Sequence, residues 1–357
     1  MTTLIIGGGL SGLALADALY AKGHDFMLVE GRRRLGGRIK TGHHAGGAFD
    51  LGPAWFWPGQ PRIAHLIDRL NLTRFDQFAD GDLVYENEQG QVQRGRGFSS
   101  MQGSWRLAGG LGALIDALAQ GLPADRVRLG AEVTALEQTQ SGVIASFRNG
   151  EAMTFDRAVL CLPPRVAANI KFSPNLLDAT KVALQNIPTW MAGQAKAVAV
   201  YDTPFWREAG LSGDAQSRFG PMVEIHDASP EHGGPYALFG FIGVPPQGRA
   251  DEQTLRQHIG AQLKRLFGPA GAEPKHLFIK DWAFDPFTAT KADLAPLYAH
   301  PSYGMPQALR GVWDDQLLFS GTETAPQFGG YIEGALEAAE NVLRTLEIKM
   351  DDQDASC

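Results

Sequence analysis

Cysteine is scarce in this chain, which has only Cys161 and Cys357 among its 357 residues. Two cysteines are too few for a disulfide framework or a cysteine-rich metal site, and we expect no bound metal. Such low usage is also typical of proteins from a reducing compartment, which predicts a cytoplasmic location.

The chain also lacks long hydrophobic runs, an excess of positive charge and internal repeats. No apolar run approaches the ~18 residues of a membrane-spanning helix, and a strand-like segment begins at residue 3, so we expect neither a membrane span nor a secretion signal. The formal net charge of −7 argues against nucleic-acid binding. Without a low-complexity linker, two domains in a chain of this length would be interleaved rather than placed in series.

A glycine-rich run is the first informative feature that is present. The sequence Gly-Gly-Gly-Leu-Ser-Gly at residues 7–12 follows the strand-like segment 3–6, and the next such segment, 26–29, ends on Glu30. A strand, a glycine turn, a helix and a terminal acid at this spacing are typical of a dinucleotide site. An ordinary glycine turn is the alternative, and the combination of all four features makes it the weaker one.

Four residues of this unit have physical roles in binding a dinucleotide. Gly7 permits the tight turn, Gly9 lets the backbone approach a pyrophosphate, and Gly12 allows the helix to pack closely on the strand. The helix N-terminus supplies N–H donors to the phosphates, and Glu30 would bind the ribose hydroxyls.

Cationic residues and a second glycine pair follow the acid. The run at residues 31–38 includes Arg32, Gly37 and Arg38. Arginine can donate two parallel hydrogen bonds to phosphate oxygens, and glycine lets the chain pass close to a ligand. The alternative is a solvated basic loop. The adjoining glycines favour phosphate binding, and flavin rather than nicotinamide as the dinucleotide.

The rest of the chain alternates between helical and strand-like segments, which predicts an α/β fold. Helical spacing is found at residues 13–22, 110–120, 251–267 and 331–346. Strand-like runs lie at residues 126–138, 143–148, 153–155, 158–162, 195–201, 222–226, 236–242, 276–282 and 317–320. The mixture in the central part indicates an antiparallel sheet with helices, a suitable wall for a substrate cavity.

The order and spacing of these and further motifs resemble one known family, the flavin-containing monoamine oxidases, and especially their short soluble bacterial members. The resemblance covers nearly the whole chain. Its motifs are residues 7–12, Glu30 with Gly36-Gly37-Arg38, Asp50-Leu51-Gly52 with Trp55, Leu162-Pro163-Pro164, Lys196 with residues 204–207, Trp282, and residues 321–324 with 329–335.

The resemblance implies a Rossmann-like FAD-binding domain of the amine oxidase and glutathione reductase type. It is interleaved with an α+β substrate domain built on a mixed antiparallel sheet. The FAD-binding domain would comprise residues 1–74, 101–174 and 286–348, the substrate domain residues 75–100 and 175–285, and a flexible tail residues 349–357.

The resemblance also assigns roles to individual residues. Tyr331 would form one wall of the aromatic cage around the substrate nitrogen, and Trp282 would line the flavin site. Each could instead be an ordinary packing residue. FAD would be bound by Gly7, Gly9, Gly12, Glu30, Arg32, Gly37, Arg38, Gly52, Val133, Glu323 and Ile332.

The implied reaction is the oxidation of a primary or secondary amine, with an apolar or aromatic group, by hydride transfer to flavin N5. The resulting imine is hydrolysed to a carbonyl compound. O2 or another electron acceptor then reoxidises the flavin, and O2 gives H2O2. The amine must be neutral at the moment of transfer and held in an apolar cavity.

Three positions differ from the family pattern. Lys291 and Ala292 fall where mitochondrial members carry a flavin-linking cysteine and the other cage tyrosine, so we expect non-covalent FAD. Tyr298 or Tyr303 could supply the second cage wall. Relatives also carry a lysine whose bound water lies near N5, and an ungapped count places Pro246 there, which leaves the electron acceptor open.

The motifs also allow interpretations other than amine oxidation. A flavin desaturase or related carbon–carbon oxidoreductase shares the FAD scaffold, and a non-catalytic FAD-binding protein would tolerate the missing lysine and cage residue. A nicotinamide dehydrogenase is disfavoured by the Gly-Gly-Arg element. We expect no catalytic task for Lys196, since strand lysines commonly extend to solvent. His226, Asp227 and His232 lack a recognisable metal-ligand spacing.

Overall fold

The computed structural model of the chain describes residues 1–295, 297 and 299–354. Its strands are β1 (Thr2–Ile6), β2 (Asp25–Glu30), β3 (Thr41–His44), β4 (Gly47–Asp50), β5 (Arg74–Asp76), β6 (Asp82–Glu86), β7 (Val92–Gly95), β8 (Trp105–Leu107), β9 (Val127–Leu129), β10 (Val133–Thr139), β11 (Gly142–Phe147), β12 (Ala152–Phe155), β13 (Arg157–Leu160), β14 (Lys171–Ser173), β15 (Ala195–Tyr201), β16 (Leu211–Ser217), β17 (Met222–Asp227), β18 (Tyr236–Ile242), β19 (His276–Asp281) and β20 (Leu317–Phe319). Its α-helices are α1 (Leu10–Ala21), α2 (Pro61–Arg69), α3 (Leu111–Gln120), α4 (Pro164–Ala167), α5 (Asp178–Asn186), α6 (Phe205–Glu208), α7 (Glu252–Phe267) and α8 (Ile332–Asp354).

A five-stranded parallel sheet forms the first layer, in the order β20-β13-β1-β2-β9. Strand β1 is central and buried on both faces, as the continuous apolar run of its sequence predicts. One face carries Ile5 and packs against α1, α2, α3 and α8, whereas the other carries Leu4 and Ile6. Alternate side chains of β1 thus belong to two separate hydrophobic clusters.

A four-stranded sheet, in the order β12-β11-β10-β14, covers the second face of the parallel sheet. The single strand expected at residues 126–138 is wrong, because the chain changes sheets at Gly130. That glycine has a φ of 68° and donates its N–H to the carbonyl of Arg32. The turn separates β9, in the parallel sheet, from β10, in the covering sheet. Helix α5 packs against α4 and the same cluster, beside the predicted domain boundary at residue 174.

The third sheet has seven strands, in the order β19-β15-β18-β17-β16-β6-β7. All pairings are antiparallel except that of β16 with β6. Helix α7 packs on one face, and Phe49, Leu51 and Trp55 from the N-terminal region pack on the other. The sheet draws its strands from two stretches of chain, 82–95 and 195–281, and the strands of the parallel sheet and its cover lie before, between and after them.

The C-terminal helix is longer than the sequence pattern indicated. Helix α8 continues past the expected end at residue 346 to Asp354, so residues 349–354 of the predicted tail are helical. Residues 355–357 lie outside the described part of the chain. Among the described residues, no helix is long and apolar enough to cross a membrane.

Candidate active site

The glycine run forms the expected tight turn between β1 and α1. Gly7 has a φ of 112° and donates its N–H to the carbonyl of Val29 at 2.8 Å. A Cβ on Gly7 would lie 2.6 Å from the carbonyl oxygen of Cys161, and a Cβ on Gly12 would lie 2.0 Å from the oxygen of Gly7. Both glycines are therefore required by packing within the protein itself.

Gly9 differs from the other two glycines because the protein leaves space above it. A Cβ there would meet only the Cα of Gly37, at 3.9 Å, and no side chain caps the first turn of α1. The first N–H groups of this helix have no intrahelical partner. An open backbone at a helix N-terminus is an anion site, so the residues present fit a pyrophosphate.

Glu30 ends β2 next to this turn and is buried. Its carboxylate accepts the N–H groups of Gly8 and Arg32, each at 2.8 Å. The guanidinium of Arg32 lies beside the same carboxylate, with Nη1 3.5 Å from Oε1 of Glu30, and it also donates to Asp285 and, at 3.0 Å, to the hydroxyl of Thr288. Arg32 therefore ties the loop after β2 to the segment that follows β19, and its assignment to FAD remains a prediction.

Val133 lies close to Glu30 through the turn that separates β9 from β10. The N–H of Ala131 donates to the carbonyl of Glu30 at 2.9 Å, and Val133 is the first, buried residue of β10. The structure thus brings the predicted adenine contact and the predicted ribose contact to the same end of the parallel sheet.

A second group of predicted residues meets at the loop after β2. The guanidinium of Arg38 binds the carboxylate of Glu323 through two hydrogen bonds, of 2.6 and 3.1 Å. Gly52 packs against the same loop, since a Cβ there would lie 2.0 Å from the carbonyl oxygen of Arg38. Three residues widely separated in sequence therefore form one cluster.

The carbonyl groups of Leu51 and Gly52 connect this cluster to the seven-stranded sheet. The indole N–H of Trp282 donates to the oxygen of Leu51 at 2.9 Å, and Lys196 donates to that of Gly52 at 2.5 Å. Both side chains are buried. The ammonium of Lys196 also lies 5.5 and 5.1 Å from the ring centres of Phe239 and Phe241. Burial lowers the pKa of Lys196 to about 8, although the carboxylate of Asp50 opposes this shift.

Lys196, to which the sequence analysis assigns no task, is buried and reaches the predicted FAD cluster. The ungapped count led to Pro246, which begins a short 3-10 helix after β18. The buried lysine that reaches the predicted FAD cluster comes instead from β15, where every residue is buried. A lysine inside a fully buried strand cannot extend to solvent, and that pattern, Ala-Lys-Ala-Val-Ala-Val-Tyr, was the available signal.

Tyr331 and Ile332 stand at the start of α8, as predicted. Ile332 is buried, whereas Tyr331 is 42% exposed and stacks on His300 with ring centres 5.0 Å apart and planes at 13°. The hydroxyl of Tyr303 donates to the carbonyl of Pro188 at 2.8 Å, and its ring meets the edge of His300. The aromatic neighbour of Tyr331 is thus a histidine, a residue that no sequence motif singles out. Tyr298 lies outside the described residues.

The three residues considered as metal ligands do not converge. Asp227 accepts hydrogen bonds from Trp206 and Arg207, and the side chain of His232 is exposed. His226 is buried between two carboxylates of its own sheet. Within the described ranges, no group of three or more metal-ligating side chains is found.

Comparison with known sequences identifies the family. The profile of the family described as flavin containing amine oxidoreductase matches residues 96–343, and that of an NAD(P)-binding Rossmann-like domain matches residues 5–70. The first match spans well over half of the chain, and the second includes the glycine turn and Glu30.

Individual relatives agree with the family match. AofH of Mycobacterium tuberculosis, which carries the name of a flavin-containing monoamine oxidase, is 25% identical over 438 aligned positions, covering 94% of each chain. Human amine oxidase [flavin-containing] B is 26% identical over 248 positions, covering 68% of this chain and 46% of the human protein. An L-amino acid dehydrogenase of Synechocystis is 23% identical and covers 96% of this chain and 94% of its own.

Solved structures show the same fold. A putrescine oxidase bound to putrescine superposes with a TM-score of 0.81 at 21% identity, covering 98% of this chain and 99% of the other. Cyclohexylamine oxidase from Brevibacterium oxydans gives a TM-score of 0.81 at 20% identity, with 98% and 99% coverage. The predicted fold class and family resemblance are confirmed: the chain belongs to the flavin-containing amine oxidoreductases and is an FAD-dependent enzyme of the amine oxidase type.

Proposed function

We propose that the protein oxidises a primary or secondary amine to an imine, which water hydrolyses to a carbonyl compound, with O2 as acceptor and H2O2 as product. The observation that carries this proposal is the buried Lys196, which binds the carbonyl of Gly52 at 2.5 Å beside the rings of Phe239 and Phe241. The names of the structural neighbours, putrescine oxidase and cyclohexylamine oxidase, support an amine as the substrate.

The chemistry that FAD supplies when bound is acceptance of a hydride equivalent from the α-carbon of the amine. The chain's own residues provide the environment. Trp55 packs edge-on against Phe239 with ring centres 5.0 Å apart, and Trp282 donates to the carbonyl of Leu51, whose side chain belongs to the same hydrophobic cluster. An aromatic wall excludes water and favours the neutral amine that the reaction requires.

Two features of the site suit the accumulation of negative charge on the cofactor. The N-terminus of α8, near Tyr331 and Ile332, carries the positive end of the helix dipole. Lys196 carries a positive charge below its pKa of about 8. The charge of Lys196, on a different strand from the family's water-holding lysine, would favour the electron transfer to O2 and supports O2 as the acceptor.

Two further parts of the proposal concern attachment and location. Non-covalent binding of FAD is supported by the short exposed turn at Lys291 and Ala292, which offers no cysteine. A cytoplasmic location is supported by the scarcity of cysteine, with only two in the chain.

The experiment is an anaerobic visible spectrum of the purified protein during addition of aliphatic, aromatic and polyamine substrates. Flavin bands that bleach with an amine support the proposal and identify the substrate class. Flavin bands that bleach only with polyenes or other carbon–carbon donors indicate a desaturase. Bands that no donor bleaches indicate a non-catalytic flavoprotein. Admitting oxygen and measuring peroxide then tests the acceptor.

A further inference from the structure

A cavity of about 440 Å³ lies on the seven-stranded sheet beside the aromatic wall. Its lining includes the buried polar side chains Asp214 and His226 together with Glu224, and exposed residues at its mouth include Arg96 and Phe98. A cavity of this size can hold a small organic molecule. None of these residues is used in the proposed chemistry described above.

The strand register places this cavity next to Lys196. Phe241 of β18 pairs with Lys196 of β15 on one side and with Glu224 of β17 on the other. Directly paired residues of adjacent strands share a face of the sheet. Lys196 and Glu224 therefore flank Phe241 on one face, with Cα atoms roughly 10 Å apart at two strand spacings.

Aromatic contacts connect the two regions. The ring of Trp55 lies 6.3 Å from that of Phe241 and 5.3 Å from that of His226, measured between centres. Trp55 therefore packs between the aromatic wall beside Lys196 and the polar floor of the cavity. A molecule that spanned from the wall to the floor would pass this indole and meet Glu224.

The floor of the cavity carries an excess of negative charge. His226 bonds through Nδ1 to Asp214 at 2.7 Å and through Nε2 to Glu224 at 2.9 Å. Although burial opposes its charge, these two carboxylates raise the pKa of His226 to about 9. At neutral pH two carboxylates thus surround one imidazolium.

Glu224 retains an unused acceptor. Its Oε1 accepts from both His226 and the hydroxyl of Ser100, at 2.9 and 2.5 Å. Its Oε2 has no partner among the described residues, and the side chain is 32% exposed where it lines the cavity. Because Oε1 is held by two donors, the carboxylate is fixed in orientation with Oε2 free. A fixed carboxylate oxygen is an acceptor for an ammonium group.

We propose that Glu224 binds a second cationic group of the substrate, so that the preferred substrate is a diamine with a short alkyl chain between its two nitrogens. One amine would lie at the aromatic wall and the other, as an ammonium, at Glu224. This inference rests on the proposed amine oxidation. An anionic tail fits less well, because it would face the carboxylates of the floor and reach only solvent-exposed arginines at the mouth.

The test compares matched substrates on the FAD-loaded protein under anaerobic conditions. Flavin reduction is followed by stopped flow with 1,4-diaminobutane against butylamine, and with 1,6-diaminohexane against hexylamine. At least one diamine is expected to reduce the flavin with a second-order rate constant about tenfold or more above that of its monoamine. Glu224→Gln should remove that advantage while the monoamine rate stays within about twofold.

A matched control separates the cavity from general surface charge. Glu88 is an exposed carboxylate between β6 and β7, 3.7 Å from Arg218, and Glu88→Gln should leave the diamine preference intact. Because the parent protein alone provides the comparison of diamine with monoamine, the test does not depend on the folding of Glu224→Gln.

Three outcomes would contradict the inference or its basis. Monoamines as fast as the matched diamines would exclude a diamine site while leaving amine oxidation in place. A preference for 6-aminohexanoate that Arg96→Ala abolishes would replace the ammonium site with a carboxylate site. A flavin that no amine reduces would reject the proposed function itself.

Discussion

Arg38 and Glu323 form a two-point ion pair across 285 positions of the chain, with Nη1–Oε1 and Nη2–Oε2 distances of 2.6 and 3.1 Å. The carboxylate is fully buried and the guanidinium is 29% exposed. Although burial opposes its charge, Glu323 raises the pKa of Arg38. The pair joins the loop after β2 to the segment after β20, and it leaves part of the guanidinium accessible to a phosphate.

Arg38→Ala is expected to weaken FAD retention and to lower stability together. The change removes a forked phosphate donor and leaves the buried carboxylate of Glu323 without a counter-charge, which costs about 3–5 kcal/mol. The measurement is the flavin content after gel filtration, with thermal unfolding of the same preparation. Arg33→Ala, an exposed arginine of the same run, is the control and should behave as the parent. Full flavin retention by Arg38→Ala would remove Arg38 from the site.

Lys196→Met is expected to slow reoxidation of the reduced flavin by O2 at least about tenfold, with a smaller effect on reduction by the amine. The methionine preserves packing but removes the charge. Because burial lowers the pKa of Lys196 to about 8, the parent's rate constant with O2 should fall as the pH rises through about 8. The variant should show no such step.

The control for Lys196 is Lys275→Met, which removes an exposed lysine bound to Asp202 at 3.3 Å. The rate constant for reoxidation of this variant by O2 should equal that of the parent at every pH. A pH step near 8 that persists in Lys196→Met would assign that titration to another group, and O2 would then need a different activating residue.

Tyr331→Ala should slow flavin reduction while FAD stays bound. The ring stands at the start of α8 and stacks on His300 at 5.0 Å, so its removal takes away one of the ring contacts of His300. Tyr331→Phe keeps the stacked ring and should reduce the flavin at close to the parental rate. Stopped-flow reduction with one amine distinguishes the variants. Parental kinetics in Tyr331→Ala would exclude the tyrosine from the proposed cage.

The triad of Asp214, His226 and Glu224 predicts a stability that declines at alkaline pH. The folded pKa of His226 is raised to about 9 from the ordinary 6.5. The charged His226 therefore adds on the order of 3 kcal/mol to the free energy of unfolding. This contribution is fully present below pH 6.5 and is lost as the pH rises through about 9. The melting temperatures of the parent and of His226→Asn, measured between pH 6 and 9.5, should differ most at pH 6 and converge as the pH rises. A constant difference across this range would indicate that His226 is not charged.

The dinucleotide turn was predictable because all of its determinants are local. Gly7 needs positive φ, Gly12 needs the absence of a side chain, and Glu30 follows a buried strand at fixed spacing. The strands β15 and β18 were also predicted with their observed ends, since long apolar runs between polar breaks define them. Local pattern therefore specified the cofactor turn and the centre of the large sheet.

Other elements depended on pairing that a sequence pattern does not encode. Strand β16 reads Leu-Ser-Gly-Asp-Ala-Gln-Ser, without apolar alternation, and is held by its neighbours β6 and β17. The stacking of His300 on Tyr331 joins two loops across the site. The apolar residues before and after Lys196 in its strand indicate that the lysine is buried. They do not indicate its partner, because the contact with Gly52 spans 144 positions.

Gly9 and Gly12 allow the cofactor role of the turn to be separated from its folding role. In Gly12→Ala the new Cβ would lie 2.0 Å from the oxygen of Gly7, so the variant should unfold or lose about 3 kcal/mol or more. In Gly9→Ala the nearest atom is the Cα of Gly37 at 3.9 Å, and φ is −77°, so the apoprotein should melt like the parent. Its affinity for FAD should nevertheless fall about tenfold or more, because the methyl group occupies the space of the pyrophosphate. Thermal unfolding of the apoprotein and fluorescence titration with FAD measure the two effects separately. A Gly9→Ala protein that binds FAD as tightly as the parent would show that the pyrophosphate does not cross this glycine.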